Sequence, residues 1–427
     1  MTRTLCAVLL IAASVPTLSA AQQPTQRQFD SLSIQVRALR ARLDSLRAAL
    51  AARAGTQAPG AAAADTDLAS LRAAAAATVG RDTTQTADTS SARRFIGRER
   101  NQAQLNPEIG ATGDVRAYAT TRGVQRENFD PHEFEVGFQS ALDPYSHTKI
   151  FLAFGNDEIE VEEAYAYWIG LPGHLRLDLG KYRQQFGELN RWHLHAVPET
   201  EYPLAIRSYL GPDGLAGTGV SLYRAFGGFG THEVTLQLTR SASDDELFGN
   251  GGRPTYLAHL LNFWQLNPST YMQLGGSVLY GTDPSSALRT RVAGLDFRLT
   301  WRPPAQGLYR DWTLRGELLS FRKQIAAAGP TRVGGYVSTT YKLSERWIAG
   351  VAFNYAEAPD SVTQSTATPL LPGTITRQII PSITLWESEW VFLRAQYQWE
   401  KIEGLTSTSQ FALQAVWAIG PHKHETY

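Results

Sequence analysis

From Pro107 to Gly420 the chain repeats one texture: short segments of alternating apolar and polar residues, each closed by turn-forming residues. Successive side chains leave opposite faces of a strand, so a period of two writes a sheet with one apolar and one polar surface. PHEFEVGFQSALD sets Phe134, Val136 and Phe138 against Glu133, Glu135 and Gln139. RTRVAGLDFRLTWR sets Leu295, Phe297, Leu299 and Trp301 against Asp296, Arg298 and Thr300. VFLRAQYQWE and SQFALQAVWAIG carry the pattern to the end. The count is about sixteen strands, an even number of the kind bacterial outer-membrane barrels use.

The connections give a separate check, because such barrels pair short periplasmic turns with long outer loops. DPY near Asp143, LPG near Leu171, LNPS near Leu266, KLSER near Lys342 and WESEW near Trp386 are short and fall at every second connection. SASDDELFGNGGRPT and AEAPDSVTQSTATPLLPGT fall between them and are long and polar. A soluble sandwich has no reason to sort its loops by parity. The expected fold over 107–427 is therefore all-β, an antiparallel transmembrane barrel.

Met1 to about Ala21 has Arg3 as a basic start, an apolar run from Leu5 to Val15 and small residues at Ser19 and Ala21, the layout of a cleaved export signal over 1–21. The one cysteine, Cys6, lies within it, which leaves the mature chain without thiol chemistry. Beyond it no apolar run approaches the roughly 20 residues of a membrane helix, so a membrane can be crossed only by a closed barrel. Formal net charge is zero, which gives no reason to expect nucleic acid as a partner.

Phe29, Leu32, Val36, Leu39, Leu43, Leu46 and Leu50 alternate three and four apart, predicting a short coiled-coil helix over 27–53. The alternative is a single amphipathic helix on a surface. Residues 54–106 are mostly Ala, Thr, Gly, Ser and Asp, a composition too poor in apolar bulk to order itself, and read as a disordered tether.

By strand parity the lumen is lined by both signs of charge: Arg176, Arg298, Arg315 and Arg394 beside Glu133, Glu135, Glu160, Glu162, Asp178, Asp296 and Glu317. One strand fits badly. EIEVEEAYAYW puts Glu163 on the face of Val161, Tyr165 and Tyr167, the costly lipid side, unless a bulge shifts the register or another subunit covers that face.

FEVGFQSALDPYSHTKIFLAF, LGKYRQQFGELNRWH and the closing GPHKHETY resemble the sixteen-stranded bacterial porins, and more loosely the family of the phosphate-selective porins O and P. NRWHLHAVPETEYPL and the histidine-bearing C-terminus also resemble exported barrels described as zinc-regulated outer-membrane receptors. The resemblance implies a homotrimer in outer-membrane lipid whose third outer loop folds inward as a constriction. By strand count the excursion from Glu188 to Leu215 is that loop. Phosphate specificity is not implied, because the lining is of mixed sign.

The loop carries Arg191, His193, His195, Glu199, Glu201 and Arg207, the candidate constriction residues, since charges at a narrow point set which ions pass. The competing reading is that they pair with one another or with the wall. His193 with His195 and His422 with His424 are two pairs that start a metal site, but zinc takes about four ligands and the topology keeps the pairs apart. Packed or solvated histidines are expected, with no metal and no cofactor.

The expected function is passive diffusion of small hydrophilic solutes or ions across the outer membrane, with the N-terminal segment in the periplasm. No compact Ser/His or Asp/His constellation points to an enzyme. A plugged transporter barrel needs about twenty-two strands, more than this chain can build. The alternative is a structural anchor, or a closed substrate-specific barrel, carrying a periplasmic stalk.

Overall fold

A computed structural model describes residues 107–121, 129–155, 159–242, 253–282, 288–324, 329–359 and 370–420 of the 427-residue chain. The expected signal, coiled coil and tether over 1–106, and His422 and His424, lie outside the described residues.

Among the described residues are sixteen strands: β1 (Glu108–Thr120), β2 (Asp130–Ala141), β3 (Ser146–Phe154), β4 (Ile159–Leu171), β5 (Leu175–Arg183), β6 (Ala216–Gly228), β7 (Gly230–Ala242), β8 (Thr255–Asn267), β9 (Thr270–Thr282), β10 (Arg289–Trp301), β11 (Trp312–Lys323), β12 (Arg332–Lys342), β13 (Trp347–Glu357), β14 (Ile375–Trp386), β15 (Val391–Ile402) and β16 (Thr408–Ile419). Each pairs antiparallel with its sequence neighbours, and β16 returns to β1 through a register from Ala111↔Ile419 to Thr120↔Gln410, closing the barrel. Closure removes the unpaired edges of an open sheet.

The alternation read from sequence is the alternation of burial. Along β10, Thr290, Val292, Asp296 and Thr300 are buried inside the barrel, while Arg291, Ala293 and Leu295 face out. The outward set across the molecule is Leu, Val, Ile and aromatic, including Leu236, Val278, Leu318, Val351, Ile383 and Leu413. An apolar belt on the outside of a closed barrel is the surface a bilayer solvates. Among the described residues no helix is long and apolar enough to cross a membrane. Trp301, Trp312, Trp347, Trp386 and Trp417 gather near the short-turn end, as an interfacial aromatic girdle does.

Loop parity holds with exceptions. Residues 403–407, at the long-loop end, are as short as a turn, whereas 302–311, at the opposite end, is extended. This last segment folds on itself, with Gln306 N–H donating to Pro303 O (3.0 Å) and Tyr309 N–H to Gln306 O (2.8 Å).

The misfit on β4 is a bulge. Phe151 pairs with Glu163 but Leu152 pairs with Val161, so Glu162 is the extra residue. The extra residue turns Glu163 and Tyr165 inward while Val161 stays exposed, and simple parity, which put Glu163 on the lipid face, is corrected there.

Candidate functional site

The chain between β5 and β6, residues 184–215, is the third connection at the long-loop end, and its own composition makes it compact. It holds two single helical turns, Leu189–Arg191 and Leu194–Ala196, and one short helix, α1 (Leu204–Leu210). Phe186, Leu189, Leu194, Val197, Tyr202, Ile206, Tyr209 and Leu210 are all buried, against the inward-facing Leu257, Leu279, Val292, Leu319, Phe321 and Tyr336 of β8 to β12. The main apolar core thus lies inside the barrel, between loop and wall. Close approach is allowed by small wall residues: a Cβ at Gly294 would stand 2.8 Å from the Phe186 ring, and one at Gly334 would stand 2.8 Å from Tyr209.

Asn190 closes the neck of the loop. Its Nδ2 donates to Gln184 O (2.8 Å) and Leu215 O (2.9 Å), and its Oδ1 accepts from Leu215 N–H (2.6 Å). Where the chain crosses to the far wall, Gly187 adopts φ 61°, a conformation that favours glycine, and a Cβ there would fall on the Glu317 carboxylate. Glu317 Oε1 accepts from the backbone N–H groups of Glu188 (3.1 Å) and Leu189 (2.9 Å). A carboxylate taking two N–H groups of a helical turn satisfies donors the turn leaves open.

Other ties run round the barrel. Glu188 pairs with Arg298 at 2.9 Å, and Arg315 lies over the Trp192 ring at 5.0 Å. Arg394 donates to Glu199 O (2.8 Å), Thr200 N–H donates to Gln396 Oε1 (3.0 Å), and the Tyr209 hydroxyl donates to Glu357 O (2.9 Å). On the near wall, His193 Nδ1 lies 2.5 Å from Glu135 Oε2 and 2.8 Å from Glu162 Oε2, with Nε2 3.7 Å from Glu163. Arg183 pairs with Glu162 at 2.6 Å and donates to Asp213 O (2.6 Å). His195 is buried, with Nδ1 3.7 Å from Glu133.

Burial opposes charge on His193, but the Glu135 and Glu162 carboxylates outweigh it and hold its pKa well above the ordinary imidazole value. Burial dominates at His195 and lowers it to about 4, so that ring is neutral.

The six residues singled out on the loop therefore divide. His193, His195 and Glu199 face the wall, Glu201 pairs with Arg207, and Arg191 donates to Gln185 (2.6 Å) at the border of an open space. Of the lining residues, Glu133, Glu135, Arg298, Arg315, Glu317 and Arg394 contact or lie close to the loop, and Asp296 lies buried against Gly275. Arg176 and Asp178 pair at 2.7 Å and border that same space.

The space is a cavity of about 270 Å³ between the loop and the β4–β8 wall. Arg176, Asp178, Arg183, Glu188, Arg191 and Glu233 give it charges of both signs, and Tyr182, Tyr223 and Trp192 give it aromatic sides. Sequence reasoning missed Arg183 and the inward Glu163. The one available signal was the parity failure on β4.

No family model matches the chain. An uncharacterized protein of Aquifex aeolicus is 26% identical over 294 residues, covering 61% of this chain and 62% of that relative, so the match spans less than two thirds of the relative's length. The high-pH structure of Pseudomonas putida OprB is similar in fold, with a TM-score of 0.51 at 9% identity, covering 74% of this chain and 95% of that one. The outer membrane channel DcaP of Acinetobacter baumannii aligns with a TM-score of 0.48 at 11% identity, over 74% and 97% of the two chains. The architecture is a sixteen-stranded antiparallel barrel resembling known outer-membrane porins.

Proposed function

We propose that the chain is a bacterial outer-membrane porin, giving passive diffusion of small hydrophilic solutes or ions through a lumen narrowed by residues 184–215 as its third outer loop. The observation that carries this reading is the one-sidedness of the loop: its apolar face packs on β8 to β12, while a polar cavity stays open toward β4 to β8. A lumen wet on one side passes solutes by size and lining charge, and needs no catalytic group. Arg191, at the border of the cavity, is the constriction residue most exposed to a passing ion; His193, His195, Glu199, Glu201 and Arg207 hold the loop in shape. The barrel functions in outer-membrane lipid as a homotrimer, with the exported N-terminal segment in the periplasm.

The test is single-channel conductance of the purified full chain in a planar bilayer under a salt gradient. Conductance rising in groups of three steps supports the trimeric pore. Arginines and carboxylates are balanced around the cavity, so the expected reversal potential is near zero, and Arg191→Glu is expected to shift it toward cations. Silence from folded protein favours a second reading, a closed or substrate-specific barrel, which the dense apolar packing of the loop supports.

A further inference from the structure

The near-wall contact of the loop is more than an ion pair. Glu133, Glu135, Glu162 and His193 each bring one ligand atom into a group whose members all lie within 4.8 Å of one another. The group is drawn from three elements: β2 supplies two carboxylates, the β4 bulge supplies the third, and the loop supplies the imidazole. The bulge matters, because it brings Glu162 to the loop while leaving Glu163 inward as well.

Three further observations point to a cation. First, His193 Nδ1 faces Glu135 at 2.5 Å and Glu162 at 2.8 Å, and one N–H cannot serve two carboxylates fully. Second, the Glu133 side chain is only 9% exposed, and its Oε1 accepts no hydrogen bond among the described residues, with His195 Nδ1 at 3.7 Å beyond hydrogen-bond range. A buried carboxylate oxygen left so is costly unless a proton or a cation meets it. Third, among the described residues acidic groups outnumber basic ones here: Glu133, Glu135, Glu162 and Glu163 surround Arg183 and His193, with Arg191 acting on Glu163.

We propose that Glu133, Glu135, Glu162 and His193 form a binding site for one first-row divalent transition cation, which pins the loop to the barrel wall. One imidazole nitrogen and three carboxylates, with no sulfur, suit Zn²⁺, Co²⁺ or Mn²⁺ and not a soft cuprous ion. Ligands about 2.0–2.1 Å from a tetrahedral centre stand about 3.3 Å apart, so the His193 contacts to Glu135 and Glu162 open by less than about 1 Å to admit the ion, while the wider pairs of the group, up to 4.8 Å, draw in. The cation replaces the proton shared among His193, Glu135 and Glu162. Glu163, near Nε2, then serves as the outer carboxylate that orients the ring, and Arg183 holds Glu162.

The experiment strips the refolded full-length barrel with a chelator, reloads it with Zn²⁺ or Co²⁺, and measures metal per chain by elemental analysis and affinity by titration. One equivalent per barrel is expected, with His193→Asn and Glu135→Gln, as direct ligands, each weakening it by at least the roughly 10–100-fold typical of outer-shell partners. His422→Ala with His424→Ala is expected to leave that equivalent in place. Folding of each variant is checked by its heat-modifiable migration on gels. Should the variants fail to fold, X-ray absorption of the zinc-loaded wild type decides, and a shell of oxygens with one imidazole is expected. A folded wild type that retains no metal overturns the proposal, as does a shell without imidazole or binding undiminished in both folded variants. Binding is read without conductance, so a barrel that takes one equivalent yet stays silent in a bilayer overturns the pore and upholds the site.

Discussion

His193 is tied to the wall by charge, and its protonation is therefore linked to the position of the loop. Its pKa in place is raised above the value of a free imidazole, so the stabilisation is full below the ordinary histidine range and is lost as pH climbs through the raised value. The groups facing it are Glu133, Glu135, Glu162 and Glu163 from the wall, neutral His195 from its own loop, and Arg183 beyond Glu162. In metal-free protein, alkaline pH is expected to increase loop mobility and open-channel noise, and His193→Gln is expected to flatten that pH dependence. Asn190 acts without charge. Asn190→Ala removes three hydrogen bonds at the loop neck and strands the Leu215 N–H, at about 1–3 kcal/mol for the buried donor, and limited proteolysis is expected to cut the loop faster. Both roles were only half legible in the sequence. His193 and Glu135 stand 58 residues apart, and each was named for a different reason. Period-two reasoning can say that Glu135 points inward, but not what reaches it there.

At the scale of elements, the strands were legible because burial repeats every second residue, and the barrel needed little beyond that count. The loop core was not. Phe186, Leu189 and Leu194 are buried without either helical or strand spacing, since an irregular segment sets its inward residues by where the wall lies, and the helical spacing of Ile206, Tyr209 and Leu210 spans only the seven residues of α1. The sequence reading accordingly weighed the loop's charges and passed over its apolar anchors. Gly294→Leu is expected to lift Phe186 off β10 and raise conductance if the pore is open beside the loop, with little change in barrel stability, because the added side chain points into the lumen. The β4 bulge gives a sharper case. Deleting Glu162 restores a regular ladder in which Val161 still faces out and Glu163 still faces in, so the barrel is expected to keep its heat-modifiable fold. What is lost is the ion pair with Arg183 and the Glu162 contact to His193, and with them one ligand of the cation site, and hydrogen exchange is expected to show faster opening around Asp213.

For the whole molecule, the decisive feature is the seam between β1 and β16, where the two ends of the barrel sequence meet. Gln414 Nε2 donates to Asp114 Oδ2 at 2.9 Å, and Asp114 is bound in turn to the buried Arg116. Every other strand pair joins neighbours in sequence, but this one spans the full barrel. Chain closure over that distance is slow and comes late, since its entropy cost precedes any reward. Until β16 docks, two edges of a fifteen-stranded sheet stand open to pairing with another chain. The seam is thus a checkpoint of biogenesis: a chain stalled before Thr408 has nearly all of its strands and no finished product. Such an intermediate, with both edges unpaired, is prone to aggregate until the last strand docks.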